Sequence, residues 1–244
     1  MTNIDPSAFN FVPMLQDHII DPNNSNLRMT YDSIAEWDYW AKKTGMANWR
    51  YSHEKREDLR KKTLRAHLQT DIWVFAYGSL MWDPGFFFDE VRYAKLDGGH
   101  RSFSLSDTIG RGSPDKPGLM VGLELGGHCK GLAFRIGADR ADVETEVIWM
   151  REMISPGYRA KFQQLCTPQG NIEGLAFLLD HRTASYISNI GIEDTIQRLA
   201  TGCGPGGTSR DYLEKLVTQL DLLQLNDPPM VELLRSVHHC SKST

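Results

Sequence analysis

The chain has no apolar run long enough to cross a bilayer. Its longest hydrophobic stretches are strand-sized, well short of the ~20 residues a spanning helix needs. A surplus of positive charge is also missing. Twenty-seven Lys and Arg against 31 Asp and Glu give a formal charge of −4 and a pI near 6.1. That balance leaves no electrostatic footprint for nucleic acid, and no nucleic-acid or membrane partner is expected. Cysteine is scarce. Cys129, Cys166, Cys203 and Cys240 are evenly spaced, but their flanks are unrelated and no C-x-x-C pair for zinc exists. With no secretory context, reduced thiols are expected. No G-x-x-x-x-G-K-[ST] loop occurs, which removes the P-loop class. The first ten residues carry neither a basic n-region nor an apolar h-region, so a cytoplasmic location is expected. These absences point to a small soluble substrate; they set no oligomeric state.

What is present suffices for a proper core. An apolar content of 41% over 244 residues fits one or two domains. Residues 1–70 read as a mostly helical N-terminal extension and 71–244 as the main domain. Up to about residue 30, Asp5-Pro6, Asp21-Pro22 and Asn23-Asn24 punctuate a poorly structured lead-in. Tyr31, Ile34, Trp37 and Ala41 fall at helical spacing and predict a helix over 31–44. From Arg50 to Arg65, seven basic residues mixed with three acidic ones read as a solvated helix face.

From 71 the texture changes. Apolar runs at 72–77, 91–96, 101–106, 118–124, 129–136, 158–166 and 172–180 alternate with Gly and Pro clusters. Such spacing predicts a curved sheet or small barrel, hence an α+β fold with flanking helices. One helix interrupts it, with Val143, Val147, Met150 and Ile154 as its apolar stripe and Pro156-Gly157 as its stop. Further helices are predicted around 192–200, 209–225 and 229–238.

Few residues promise chemistry. The strand-like Ile72–Ala76 runs into Tyr77-Gly78-Ser79-Leu80, where a glycine lets main-chain N–H groups approach an anion closely. Glu152 lies opposite the apolar stripe, which on the wheel alone makes it a solvent-facing glutamate. Its place in the last helical turn argues otherwise. There the helix dipole disfavours a carboxylate, and enclosure would raise its pKa further, as acid–base chemistry near neutrality requires. Gly202–Gly207 matches G-x-G-x-x-G, but a predicted helix precedes it, so it reads as a turn. Cys203 has no histidine nearby in sequence to activate it. His238-His239-Cys240 reads as a frayed tail rather than a metal site. Arg111, between Gly110 and Gly112, has the fork geometry to clamp a carboxylate.

Five segments taken together resemble the ChaC family of glutathione-specific γ-glutamylcyclotransferases. The family's V-F-G-Y-G-S-L stands here as Val74-Phe75-Ala76-Tyr77-Gly78-Ser79-Leu80, with Ala76 in place of a glycine. Arg111-Gly112 is followed by Pro117-Gly118, and a Gly-x-Ala-Phe-Arg strand appears as Gly131–Arg135. Arg151-Glu152 precedes Gly157-Tyr158, in the longer of the two spacings associated with the family. Gly204-Pro205-Gly206-Gly207 leads to Tyr212-Leu213. The order holds over roughly 72–238.

The resemblance implies a β-barrel cyclotransferase fold that converts glutathione to 5-oxo-L-proline and L-cysteinylglycine without metal or cofactor. It implies that the segment from Val74 through Phe75, Ala76, Tyr77, Gly78 and Ser79 to Leu80 forms the substrate cradle, with Glu152 as acid–base residue. Tyr158 and Tyr212 are expected at the pocket, and Arg111 at the glycine carboxylate. Two alternatives stay open: a cyclotransferase for other γ-glutamyl amines, and a non-catalytic regulatory protein of the same fold.

Overall fold

Strand β1 (Ile72–Ala76) is apolar at every position, so it has no face suited to solvent. It is flanked on both edges. Strand β3 (Gly118–Ile136) pairs with it antiparallel, Val74 opposite Phe134 and Ala76 opposite Leu132. On the other edge β5 (Gly170–Leu179) runs parallel, with Val74 opposite Leu175. Strands β2 (Glu90–Asp107) and β4 (Tyr158–Thr167) complete a closed barrel in the order β1-β3-β2-β4-β5. This is the computed structural model of the chain; it describes residues 4–46, 48–67 and 69–242.

The seven predicted runs form five strands. Gly98-Gly99 and Gly126-Gly127 interrupt the apolar pattern, yet β2 and β3 continue through them with a register shift between Asp97 and Gly99. Gly98, Gly126 and Gly127 have positive φ, a conformation that costs glycine nothing. They bend the paired strands around the barrel instead of ending them.

Helix α1 (Tyr31–Lys43) starts where predicted, because Thr30 and Ser33 form a reciprocal capping box. It is followed by α2 (His53–Leu64), α3 (Ala141–Glu152), α4 (Ile192–Thr201), α5 (Ser209–Leu222) and α6 (Pro228–Lys242). Helices α4, α5 and α6 pack on one another, and α4 and α5 also lie against β3. None of the described helices is long and apolar enough to cross a membrane.

Four expectations need correcting. The lead-in is packed: Phe9, Val12 and Leu15 are buried in one continuous core with β1 and β3, and Phe9 meets Phe88 edge-to-face at 5.6 Å. Short 3₁₀ turns at Pro6–Phe9, Pro13–Leu15 and Pro22–Asn24 carry it there, two of them capped by Asp5 and Asp21. On α2, Arg56 and Arg60 are buried rather than solvated; Arg60 meets Glu57 at 2.7 Å and Asp142 at 2.8 Å. On α3, Val143 is 60% exposed, whereas Val147 and Met150 are covered by Met29, Ile34 and Trp37. The C-terminal tail is helical, and His238 Nε2 lies 2.7 Å from Glu214 Oε1.

Candidate active site

The Tyr77–Asp83 segment leaves β1, turns through a single 3₁₀ turn at Ser79–Met81, and is held from three directions. Arg101 on β2 donates to the Tyr77 carbonyl at 2.7 Å and pairs with Asp227, just before α6, at 2.7 Å. Gln219 on α5 donates to the Met81 carbonyl at 3.0 Å. Arg151 on α3 donates to Ser79 Oγ at 2.8 Å and to the Asp83 carbonyl at 2.5 Å. Gly78 is required by close packing. A Cβ there would stand 2.9 Å from Tyr212 Oη and 3.1 Å from Val121 Cγ1.

Glu152 ends α3 and faces the same space. Its side chain is 16% exposed and lies 3.0 Å from Arg151 Nε. Burial raises its pKa above the usual 4.5, and the Arg151 guanidinium opposes that only in part. The carboxyl is therefore more basic than an exposed glutamate, and it remains in contact with the cavity.

That cavity measures about 800 Å3, within the range of small-molecule sites. Tyr77, Gly78, Ser79, Leu80, Glu152 and Tyr212 all wall it, as do Arg111 and Tyr158. Val74, Phe75 and Ala76 do not. They are fully buried in β1, where their backbones pair with β3, so they position the turn instead of touching the cavity. The Ala76 methyl accordingly lies in the core and does not narrow the site. Cys203 is exposed on the small hairpin of β6 (Cys203–Gly204) and β7 (Gly207–Thr208), away from the cavity wall. Burial pushes the Cys129 thiol up to about 11, too high for a thiolate at neutral pH.

The three tyrosines differ. Tyr77 donates its hydroxyl proton to the Phe177 carbonyl at 2.6 Å, and Tyr158 donates to the Val121 carbonyl at 2.7 Å. Both oxygens keep lone pairs to accept a further bond. Burial holds all three phenols well above their ordinary pKa, so they are neutral. The Glu152 charge bears on all three, whereas Tyr212 also lies under the Arg111 guanidinium, 5.9 Å from its ring centroid.

Sequence reasoning missed two kinds of residue. Arg151 entered only as a motif neighbour, although it joins the turn to the glutamate; a basic residue in the last turn of α3 reads as an ordinary dipole partner. The extension's contribution, Trp37, Met46 and Trp49 among the cavity walls, left no signal beyond helical spacing. Among the described residues, no three His, Cys, Asp or Glu side chains cluster to hold a metal ion.

A closed barrel whose glycine turn faces a helix-terminal carboxyl across one cavity defines a γ-glutamyl cyclotransferase fold. A solved yeast γ-glutamyl cyclotransferase specific to glutathione matches it at TM-score 0.65 and 19% identity, over 70% of this chain and 96% of that one. The family described as ChaC-like protein matches residues 72–240, and the chain belongs to it. It is 36% identical to the glutathione-specific γ-glutamylcyclotransferase of Escherichia coli (strain K12), over 68% of this chain and 72% of that protein. It is 30% identical to γ-glutamylcyclotransferase 2-3 of Arabidopsis thaliana, over 69% of this chain and 89% of that protein.

Proposed function

We infer that this protein is a glutathione-specific γ-glutamylcyclotransferase that releases 5-oxo-L-proline and L-cysteinylglycine. The relatives in its family support the activity. One observation carries the assignment of roles: the Glu152 carboxyl and the Gly78-Ser79 turn open onto the same cavity.

The chemistry needs no enzyme nucleophile, because the attacking group is already tethered to the substrate. The α-amine of the γ-glutamyl residue attacks its own γ-carbonyl carbon, closing a five-membered ring as the bond to the cysteinyl nitrogen breaks. The protein's task is to bend the arm into attack geometry, for which positioning alone supplies much of the rate. Glu152 takes the proton from the α-ammonium and returns one to the departing amine. The Tyr77 and Tyr158 oxygens are acceptors for that ammonium. The turn's amides and the neutral Tyr212 hydroxyl suit the substrate's α-carboxylate or the oxyanion that develops at the γ-carbonyl. Arg111 is assigned to the glycine carboxylate at the far end. A cytoplasmic setting fits the thiols of Cys129, Cys166 and Cys203, none of which is in a disulfide.

The test is release of 5-oxoproline by the full chain against a panel of γ-glutamyl compounds. Glutathione is expected to be the preferred substrate. Preference for another γ-glutamyl amine would move the assignment to the sibling activity. No release from any member of the panel would end the enzyme reading.

A further inference from the structure

The family match begins at residue 72, yet the cavity extends beyond what that region builds. Leu27, Met29, Trp37, Met46, Asn48 and Trp49 also wall it. Two indoles, two thioethers and a leucine make this side apolar and polarisable, with one amide.

Several ties hold this segment over the site. Trp37 packs with Met29 against Val147 and Met150, on the helix that ends in Glu152. Asp38 accepts from Trp49 Nε1 at 2.9 Å and from Arg50 Nε and Nη2 at 2.7 and 2.6 Å, clipping the 49–50 stretch to α1. The Tyr51 N–H donates to the Ile154 carbonyl at 2.9 Å, just past Glu152. On the opposite rim, a Cβ on Gly206 would lie 3.4 Å from Trp37 Cη2. Gly206 N–H in turn donates to the Gly110 carbonyl at 2.8 Å, beside Arg111. The segment thus bridges the cavity from α3 to the Arg111 loop.

The chemistry of the two ends decides what lies between them. Glu152 and the Gly78 turn mark the γ-glutamyl end. Arg111 has no carboxylate within ion-pair reach among the described residues and marks the other. The departing amine must run between these ends, beneath indole and thioether groups. Such groups favour a sulfur or apolar side chain over a charged one.

We propose that Leu27, Met29, Trp37, Met46, Asn48 and Trp49 form the leaving-amine subsite, with Trp37, Met46 and Trp49 as specificity-determining residues that grip a soft, apolar side chain next to the scissile bond. The proposal rests on the γ-glutamyl reading above. It assigns the discrimination between a cysteinyl peptide and a bare amine to a part of the chain outside the family match.

Binding, read by calorimetry in full-length Glu152→Gln so that turnover does not interfere, tests it. The probes are glutathione and γ-glutamylmethylamide, which shares the γ-glutamyl group and lacks the peptide. Adding Met46→Ala and Trp49→Ala is expected to weaken glutathione by about tenfold, in keeping with loss of an aromatic anchor, and γ-glutamylmethylamide by less than about twofold. Circular dichroism checks the fold. Should the double change disturb it, Met46→Ala alone, at a half-exposed rim position, is expected to preserve the same asymmetry at about threefold. Equal weakening of both probes, unchanged glutathione affinity, or no glutathione binding to Glu152→Gln would each overturn the subsite. A wild-type protein that binds glutathione but releases no 5-oxoproline would overturn the catalytic reading and leave the subsite standing.

Discussion

The two sides of the cavity are built from different kinds of sequence. The floor, from the Tyr77 turn, the end of α3 and Tyr212, consists of residues that the proposed chemistry requires by exact identity, and each sits in a short recognisable motif. The roof, from Leu27, Met29, Trp37, Met46, Asn48 and Trp49, asks in the proposed subsite only for bulk and polarisability, and it carries no motif. A catalytic group must meet distance and charge requirements that few residue types satisfy. A packing wall accepts many apolar combinations of suitable volume, so it leaves little trace in sequence. Proximity to the site and legibility in sequence are therefore separate properties.

The sharpest way to break this contrast is at Glu152. Replacing it by glutamine should leave the fold intact and lower the turnover number by about 10³-fold, the middle of the range for lost acid–base catalysis. Initial rates of 5-oxoproline release measure this; a loss of only a few-fold would remove Glu152 from the chemistry. A change of the opposite character is expected in the lead-in. Phe9→Ala should cost about 3 kcal/mol in denaturant unfolding, as for a buried aromatic, while kcat of the folded protein stays within about twofold. If stability were unaffected, the lead-in would not belong to the core.

Gly78→Ala should lower kcat/KM about tenfold, since its Cβ would press on Tyr212 Oη at 2.9 Å, a misplacement that positioning-dependent catalysis does not tolerate. Combining it with Val121→Ala, which removes the 3.1 Å contact and keeps the Tyr212 hydroxyl, should recover part of that loss if Val121 is the obstacle. A double variant no better than the single one would place the cause at Tyr212 Oη.

The smallest expected effect concerns pH. Because the Glu152 pKa is raised above 4.5, the acid limb of kcat/KM should have its midpoint above that value as the base becomes protonated. The sign for stability is the reverse of that for a carboxylate whose pKa is lowered on folding. The folded state disfavours the ionised form, so the penalty is absent below the unfolded pKa and grows as pH rises through the folded one. Glu152→Gln should accordingly raise the melting temperature by about 2 °C at pH 8 and by nothing near pH 4. A flat difference across that range would contradict the burial argument.

Much of the fold was legible. Helix α1 was visible from the helical spacing of Tyr31, Ile34, Trp37 and Ala41, with the Thr30–Ser33 capping box fixing its start in the structure, and α4, α5 and α6 lie close to the helices read at 192–200, 209–225 and 229–238. Strand ends at Gly98 and Gly126 were misjudged, because a glycine that bends a paired strand looks in sequence like one that ends it. Arg56 and Arg60 looked solvated until α2 was seen against α3, where Glu57 and Asp142 meet the Arg60 charge. Glu152 was found through its motif and its helix end. The wheel alone had turned it to solvent, since a wheel cannot register what the barrel places against a helix terminus.

By itself, the order of residues determined most of the helices and the β-rich stretch, which family the chain joins, and which carboxyl and which glycine turn are the candidates for its chemistry. These follow from local periodicity and from short runs of fixed chemistry. The tertiary structure alone decided that Val74, Phe75 and Ala76 support the site without lining it, that Arg151 links turn to carboxyl, and that Leu27, Met29, Trp37, Met46, Asn48 and Trp49 help wall the cavity. Enclosure arises from segments far apart along the chain, and no local pattern records which of them will meet.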